Sequence, residues 1–324
     1  MTPSEVSICA ICILQILLSF AVAKSATSTL LHNSTKTIDY IVPTLNTIAA
    51  NGVDPRFEIG YTFDTPVLPV TPCLMNALAA VSELAVKNFT GNVTPRTYTL
   101  TDYPSVSIVT DATATLKTIE IRFVLWGIWK GIQNMISSDQ FQNALLTLMW
   151  KKAVVGYVFV VRSGTALGIT RDNDNPTLSQ RSDALSVFDN TANLSQFNSS
   201  MVMTYSADEV TLAVSFTSGR GTFTIYEVFF TVLSAFASLA ETSKDRRLQY
   251  ISLSPEYYNT TLAIFDPRES PQTSAPILNC KETLVAMALI PRFMVQKSVF
   301  REVYLSIRVE GVLIGKGFME RGRV

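Results

Sequence analysis

The chain has 324 residues, and its 26 Lys plus Arg are balanced by 26 Asp plus Glu, so it carries no net charge and no basic field to steer it onto nucleic acid. Charged residues make up 16% of the chain against about 25% in an average soluble domain, and 48% of residues are apolar, which excludes disorder for most of its length. One histidine, His32, excludes a histidine-rich zinc site and leaves any Ser/His/Asp or Cys/His triad dependent on a single residue near the N-terminus.

Residues 6–23 read VSICAICILQILLSFAVA, and Lys24-Ser25 follow. This apolar run reads as a secretory signal peptide occupying residues 1–23, with Ala21-Val22-Ala23 supplying the small residues for cleavage after Ala23. Glu5 and the lack of an upstream Lys or Arg are atypical. An uncleaved anchor is the alternative, since about 18 apolar residues just span a bilayer. Six Asn-x-Ser/Thr sequons support export: Asn33, Asn88, Asn92, Asn193, Asn198 and Asn259. Asn175 precedes Pro176 and is excluded. With Cys9 and Cys12 in the signal, the mature chain keeps Cys73 and Cys280, which in an oxidising compartment most simply form one disulfide. Two separate buried thiols are the alternative, because spacing alone does not show that they meet.

After a polar leader over residues 24–50, the chain orders itself as strand (57–63), helix (73–88), strand (103–111), helix (116–137) and hairpin (146–161). The second helix rests on Ile121, Val124, Leu125, Ile128, Ile132, Met135 and Ile136, which recur at three- and four-residue steps. The hairpin alternates Leu146, Leu148 and Trp150, turns at Lys151-Lys152 and returns as AVVGYVFVV. Residues 168–200 contain RDNDNP, two sequons and few large apolar residues, so they read as an exposed connection. The same order then repeats with strand 210–216, helix 225–241, strand 257–266, a second helix and a hairpin turning at Glu310-Gly311. Residues 228–240 are too short to span a bilayer and read as a buried helix.

Residues 118–161 slide onto 277–320 without a gap. Leu125 falls on Leu284, Met135 on Met294, Phe141 on Phe300, Leu146 on Leu305, Gly156 on Gly315 and Phe159 on Phe318. This predicts an α+β fold built by internal duplication, with a first repeat over 51–167 and a second over 201–324, each placing helices on a mostly antiparallel sheet. Pro291 stands where Ile132 lies mid-helix, so the second repeat's helix is expected to kink or split there.

Chemistry is sparse. The Asp172-Asn173-Asp174-Asn175 run lacks the sixth-position Gly and twelfth-position Glu of a calcium loop and reads as a solvated turn. Asp111 and Asp266 close the strands after the first helices, a placement from which a pseudo-symmetric fold could form a catalytic acid pair; strand-end Asp more commonly caps a turn. Asp64 and Glu227 carry no better signal. No nucleotide motif is visible, and Ser218-Gly219-Arg220-Gly221 reads as a loop. Gly156 and Gly315 within strands mark bulges or close approach. Trp126, Trp129 and Trp150 fit a core by their spacing and, as the sharper alternative, an aromatic ligand surface. No cofactor or metal is called for. The preferred reading is a secreted non-enzymatic glycoprotein that meets an extracellular ligand or protein, free of the membrane once its signal is removed. The alternative is a secreted carboxylate-dependent hydrolase acting on glycans through Asp111 and Asp266.

Overall fold

The computed structural model describes residues 53–113, 115–164, 196–197, 200–205, 210–216, 221–255, 258–268 and 276–322. The signal segment, the leader, His32, the Asp172 run, Ser218-Gly219-Arg220 and the sequons at Asn33, Asn193 and Asn198 lie outside the described residues.

The first repeat runs β1 (Phe57–Val67), α1 (Val70–Ala85), β2 (Asn92–Val93), β3 (Arg96–Tyr98), β4 (Val106–Asp111), β5 (Ile119–Glu120), α2 (Ile121–Ser138), β6 (Gln142–Trp150) and β7 (Ala153–Arg162). The second runs β8 (Gln196–Phe197), β9 (Ser200–Tyr205), β10 (Val210–Phe216), α3 (Ile225–Leu239), β11 (Tyr250–Leu253), β12 (Thr260–Phe265), α4 (Cys280–Lys297), β13 (Val303–Val309) and β14 (Val312–Arg321). The first sheet has the order β1-β6-β7-β4-β3 and the second β8-β9-β10-β13-β14-β12-β11. Matching β1 to β10, β6 to β13, β7 to β14, β4 to β12 and β3 to β11 superposes the two orders, with β9 and β8 added at the β10 side. All pairings are antiparallel. The fold is α+β and its duplication is visible in the strand order.

Local backbone devices repeat residue for residue. α2 ends at Asp139 and α4 at Ser298, both left-handed with φ of 51° and 52°. Each end is closed by the paired amide bonds of a Schellman cap: Asp139 and Gln140 N–H to the Ile136 and Met135 carbonyls, Ser298 and Val299 N–H to those of Val295 and Met294. The hairpins turn through Lys151-Lys152 (φ 52° and 68°) and Glu310-Gly311 (φ 49° and 79°). Two consecutive positive φ values give a two-residue turn whose twist matches the strands. Beyond each turn the register slips once, after Leu148↔Gly156 and after Ile307↔Gly315. The two glycines read as bulge or close-approach markers therefore sit beside equivalent bulges. A Cβ on Gly156 would stand 2.7 Å from Ile119 Cδ1, which explains why this position carries none.

Helices cover one face of each sheet. α1 packs on β3 and β4, α2 on β1, β6 and β7, α3 on β11 and β12, and α4 on β9 and β10. The helices also pack on one another, α1 against α2, α3 and α4, and α3 against α2 and α4. One continuous apolar core joins both repeats, including Leu74, Leu78, Ile128 and Ile132 from the first and Phe229, Phe236, Leu284 and Phe293 from the second. Burying such side chains stabilises by about 1.5–3 kcal/mol each, so mutual packing of the helical layers is a principal source of stability.

Several boundaries depart from the sequence reading. The second helix begins at Ile121, not near residue 116, because Ile119–Glu120 pairs with Asn92–Val93. The Ile121 and Arg122 amides then donate to the Gly91 and Phe89 carbonyls, satisfying the helix's first orphan donors. Of the kink or split expected at Pro291, the split does not occur: α4 is a single element from Cys280 to Lys297, with Pro291 and its neighbours Ala288, Leu289, Ile290 and Phe293 buried. Packing on both sides outweighs the one hydrogen bond that proline removes. The second sheet also reaches back to Gln196–Phe197, inside the stretch read as connection.

Candidate functional site

The tryptophans divide by position. Trp126 is 3% exposed, packed among Phe57, Phe89 and Phe123 with ring centroids 5.3 to 6.2 Å away. Trp129 is buried too, and its Nε1 donates to Ser234 Oγ at 3.1 Å, tying α2 to α3 across the repeats. These two belong to the core. Trp150, at the hairpin end of β6, is half-buried, with the Arg56 guanidinium 4.6 Å and the Arg122 guanidinium 4.9 Å from its ring centroid. Asp54 holds Arg56 at 2.6 Å and Glu120 holds Arg122 at 2.7 Å. The hydrogen bonds from Arg56 bring the Asp54 carboxyl down to about 2. The result is a charged aromatic rim on the first repeat, in which cation–π contacts fix the arginines against the indole.

The predicted carboxylates are not equivalent. Asp111 pairs with Tyr157 on β7, whereas the residue pairing with the corresponding Lys316 of β14 is Phe265. Asp266 lies one residue beyond that position, past the end of β12, so it is not the counterpart of Asp111, which ends β4 of the other sheet. The Asp266 side chain is 1% exposed and is bound by Arg268 at 2.9 Å and Arg247 at 3.4 Å. Burial alone would raise its pKa, but the Arg268 hydrogen bonds and both guanidinium charges outweigh it and hold the carboxyl below its ordinary value. A carboxylate so saturated is suited to anchoring residues 266–268 and poorly suited to donating a proton. Asp64 lies inside β1 just before its register slip and accepts from the Thr65 amide at 2.7 Å.

Two buried polar clusters escaped the sequence reading, and each exists in one repeat only. In the second repeat, Glu227 accepts from the Thr224 amide in a capping box and binds the Arg321 guanidinium. Glu302, 8% exposed, accepts from the Arg321 amide at 3.2 Å, and Thr260, paired with Arg321, has a buried hydroxyl without a partner among the described residues. The first repeat has Pro72, Arg162, Asn143 and Val106 at these places, with Asn143 Oδ1 accepting from the Arg162 amide at 2.8 Å. Conversely, Glu83 binds both Arg96 and Lys87, and Arg96 lies over the Tyr98 ring at 5.3 Å. Burial and then the Glu83 charge push the Tyr98 hydroxyl well above the usual phenol range. The second repeat places Ser238, Ile251 and Leu253 there. The Thr224-x-x-Glu227 spacing before an apolar run was the one legible signal for either cluster.

Cys73, near the start of α1, and Cys280, opening α4, are both buried and free, so the structure shows two thiols where a disulfide was expected. Burial pushes the Cys73 thiol up to about 12, and burial also raises that of Cys280, whose Sγ donates to the Leu239 carbonyl at 3.5 Å. The described sequons are exposed at Asn88, Asn92 and Asn259. Asn259 Nδ2 donates one of its two hydrogens to the Gly322 carbonyl at 2.7 Å, which holds the nitrogen a glycan would take against the end of β14. Asn88 uses only its Oδ1, accepting from Thr90 at 3.2 Å.

Among the described residues no group of three or more His, Cys, Asp and Glu is placed to hold a metal, and no helix is long and apolar enough to cross a membrane. No family profile matches the chain, and no curated protein does. Among solved structures it is similar to the tandem DUF26 ectodomain of the Arabidopsis thaliana cysteine-rich receptor-like protein PDLP8, at 9% identity and a TM-score of 0.22, covering 81% of this chain and 96% of that one. The corresponding ectodomain of Arabidopsis PDLP5 aligns at 10% identity and a TM-score of 0.20, covering 82% and 98%. At these TM-scores the likeness carries no argument about fold or function.

Proposed function

We propose that the chain is a secreted glycoprotein whose two repeats present an interaction surface to an extracellular ligand or protein. The observation that carries this reading is the placement of Asn88 and Asn92, both exposed on the short connection between α1 and β3, where a glycan clears the fold. The signal-like segment at residues 6–23 agrees with it. The Trp150 rim offers the contact surface, because a Trp flanked by arginines combines apolar area with fixed donors, the composition enriched where partners bind most strongly. Hydrolysis has less support, since Asp266, one of the two acids named for it, is committed to Arg268 and Arg247.

Intact mass of the protein from culture medium, before and after deglycosylation and reduction, tests this. The reading predicts a terminus at Lys24, glycans on Asn88 and Asn92 and little or none on Asn259. Full-length, unglycosylated protein retained in cells would overturn it.

A further inference from the structure

Four cations are gathered at the turn end of the β6–β7 hairpin. The Arg56 and Arg122 guanidiniums lie 4.6 and 4.9 Å from the Trp150 ring centroid, and the turn that follows Trp150 is Lys151-Lys152, both exposed. The Lys151 amide donates to the Arg56 carbonyl at 3.0 Å, which ties the turn to the residues that enter β1. Two acids are paired with the arginines, Asp54 with Arg56 and Glu120 with Arg122, so the rim holds more positive charge than negative although the whole chain is neutral. Glu58 does not offset this, because Phe57 pairs with Trp150 and Glu58 with Met149, which puts Glu58 on the opposite face of the sheet. The second repeat has Val309, Glu310 and Gly311 at the places of Trp150, Lys151 and Lys152, so the cationic rim belongs to the first repeat alone.

We propose that this rim binds an acidic polysaccharide through its carboxylate and sulfate groups, one site per chain; the proposal rests on the reading of the chain as a secreted binding protein and names the ligand of the Trp150 surface. The donors are fixed in advance. Arg56 spends Nε and Nη2 on the two oxygens of Asp54, at 2.9 and 2.6 Å, which leaves Nη1 without a partner among the described residues on a side chain that is 55% exposed. Arg122 is held over both Phe123 and Trp150. A planar guanidinium whose orientation is already set matches the flat carboxylate and the oxygen edge of a sulfate, and the two lysines add mobile point charges beside it. Main-chain donors at the rim are spent: the Phe57 amide on Asp54, that of Lys151 on Arg56, and those of Ile121 and Arg122 on Gly91 and Phe89. An acidic peptide would therefore find no amide there to pair with its own backbone, whereas a polysaccharide carries its charges outward and needs side-chain donors only.

Isothermal titration calorimetry of the full secreted protein with a heparin hexasaccharide tests the proposal. The wild type binds one hexasaccharide with a Kd of about 10 μM at low salt, and about tenfold more weakly at about 0.5 M salt, where exposed charges are screened. Lys151→Glu/Lys152→Glu abolishes measurable binding and Arg56→Gln weakens it about tenfold, while Lys297→Glu/Lys316→Glu, which makes the same change in net charge at exposed positions away from the rim, leaves it unchanged. Both turn lysines are exposed, so their variant keeps the wild-type circular dichroism, and Arg56→Gln gives an independent reading if it does not. A wild type that binds no hexasaccharide up to about 1 mM, equal loss in the Lys297/Lys316 control, or equal or tighter binding of hexaglutamate or of a neutral dextran would overturn the site. The failures are separable: protein retained in cells without glycans overturns the secreted reading, and secreted, glycosylated protein that ignores heparin overturns this site alone.

Discussion

The two repeats share a backbone and differ in where they bury charge. Cap, turn and bulge recur at matching residues, Asp139 with Ser298, Lys151-Lys152 with Glu310-Gly311 and Gly156 with Gly315. The first repeat gathers Glu83 of α1 with Arg96 and Tyr98 of β3, and the second has the uncharged Ser238, Ile251 and Leu253 there and gathers Glu227, Glu302 and Arg321 at the start of α3. The contrast teaches that this topology depends on local backbone geometry and continuous apolar packing. Buried polar groups occupy either end of the repeat where ion pairs match the charged members, Glu83 with Arg96 in one and Glu227 with Arg321 in the other, because an unpaired buried charge is the costly case.

Exchanging residues between repeats tests how far the equivalence extends. The largest effect is expected from Gly131→Ile, which gives α2 the residue that stands at Ile290 in α4. A Cβ at Gly131 collides with Leu146, so α2 would have to lift from β6, at a cost of about 3 kcal/mol in urea unfolding. Asp266→Asn comes next, lowering stability at neutral pH by about 2 kcal/mol through loss of its Arg268 and Arg247 contacts. Because folding holds this carboxyl below its ordinary value, its contribution is complete above the unfolded value of about 3.9 and is lost as pH falls through the lower folded value. The variant should therefore show a shallower acid limb than the wild type, and parallel acid limbs would assign the stability to other carboxylates. The smallest effect is expected from Trp129→Phe, which keeps an aromatic ring in place but loses part of the indole's packing and the Nε1 bond to Ser234, at about 1 kcal/mol by the same unfolding measurement.

Periodicity made most of the fold legible. The three- and four-residue spacing from Ile121 to Ile136 and the alternation Leu146-Leu148-Trp150 are local signals, and both became the elements they implied. The gapless self-alignment identified the duplication because the second helix, its cap and the hairpin kept their lengths. What sequence left hidden depends on contacts between distant residues. The start of α2 is set by the Gly91 and Phe89 carbonyls, and the continuity of α4 through Pro291 is set by burial. The Glu227–Arg321 pair joins residues far apart in the chain. For the tryptophans, spacing pointed to core, which Trp126 and Trp129 are; Trp150 alone lies at the rim, half-buried at the hairpin end of β6 against Phe123 and Arg122 in the first turn of α2.

Packed helices join the two repeats in one apolar core, which predicts a single cooperative unfolding, and the placement of the tryptophans makes this directly measurable. All three, Trp126, Trp129 and Trp150, lie in the first repeat. Denaturant unfolding followed at once by tryptophan fluorescence, which reports that repeat, and by far-UV circular dichroism, which reports both, should give coincident transitions with a single midpoint. Two separated midpoints, with fluorescence changing while the second repeat keeps its circular dichroism, would contradict the shared core.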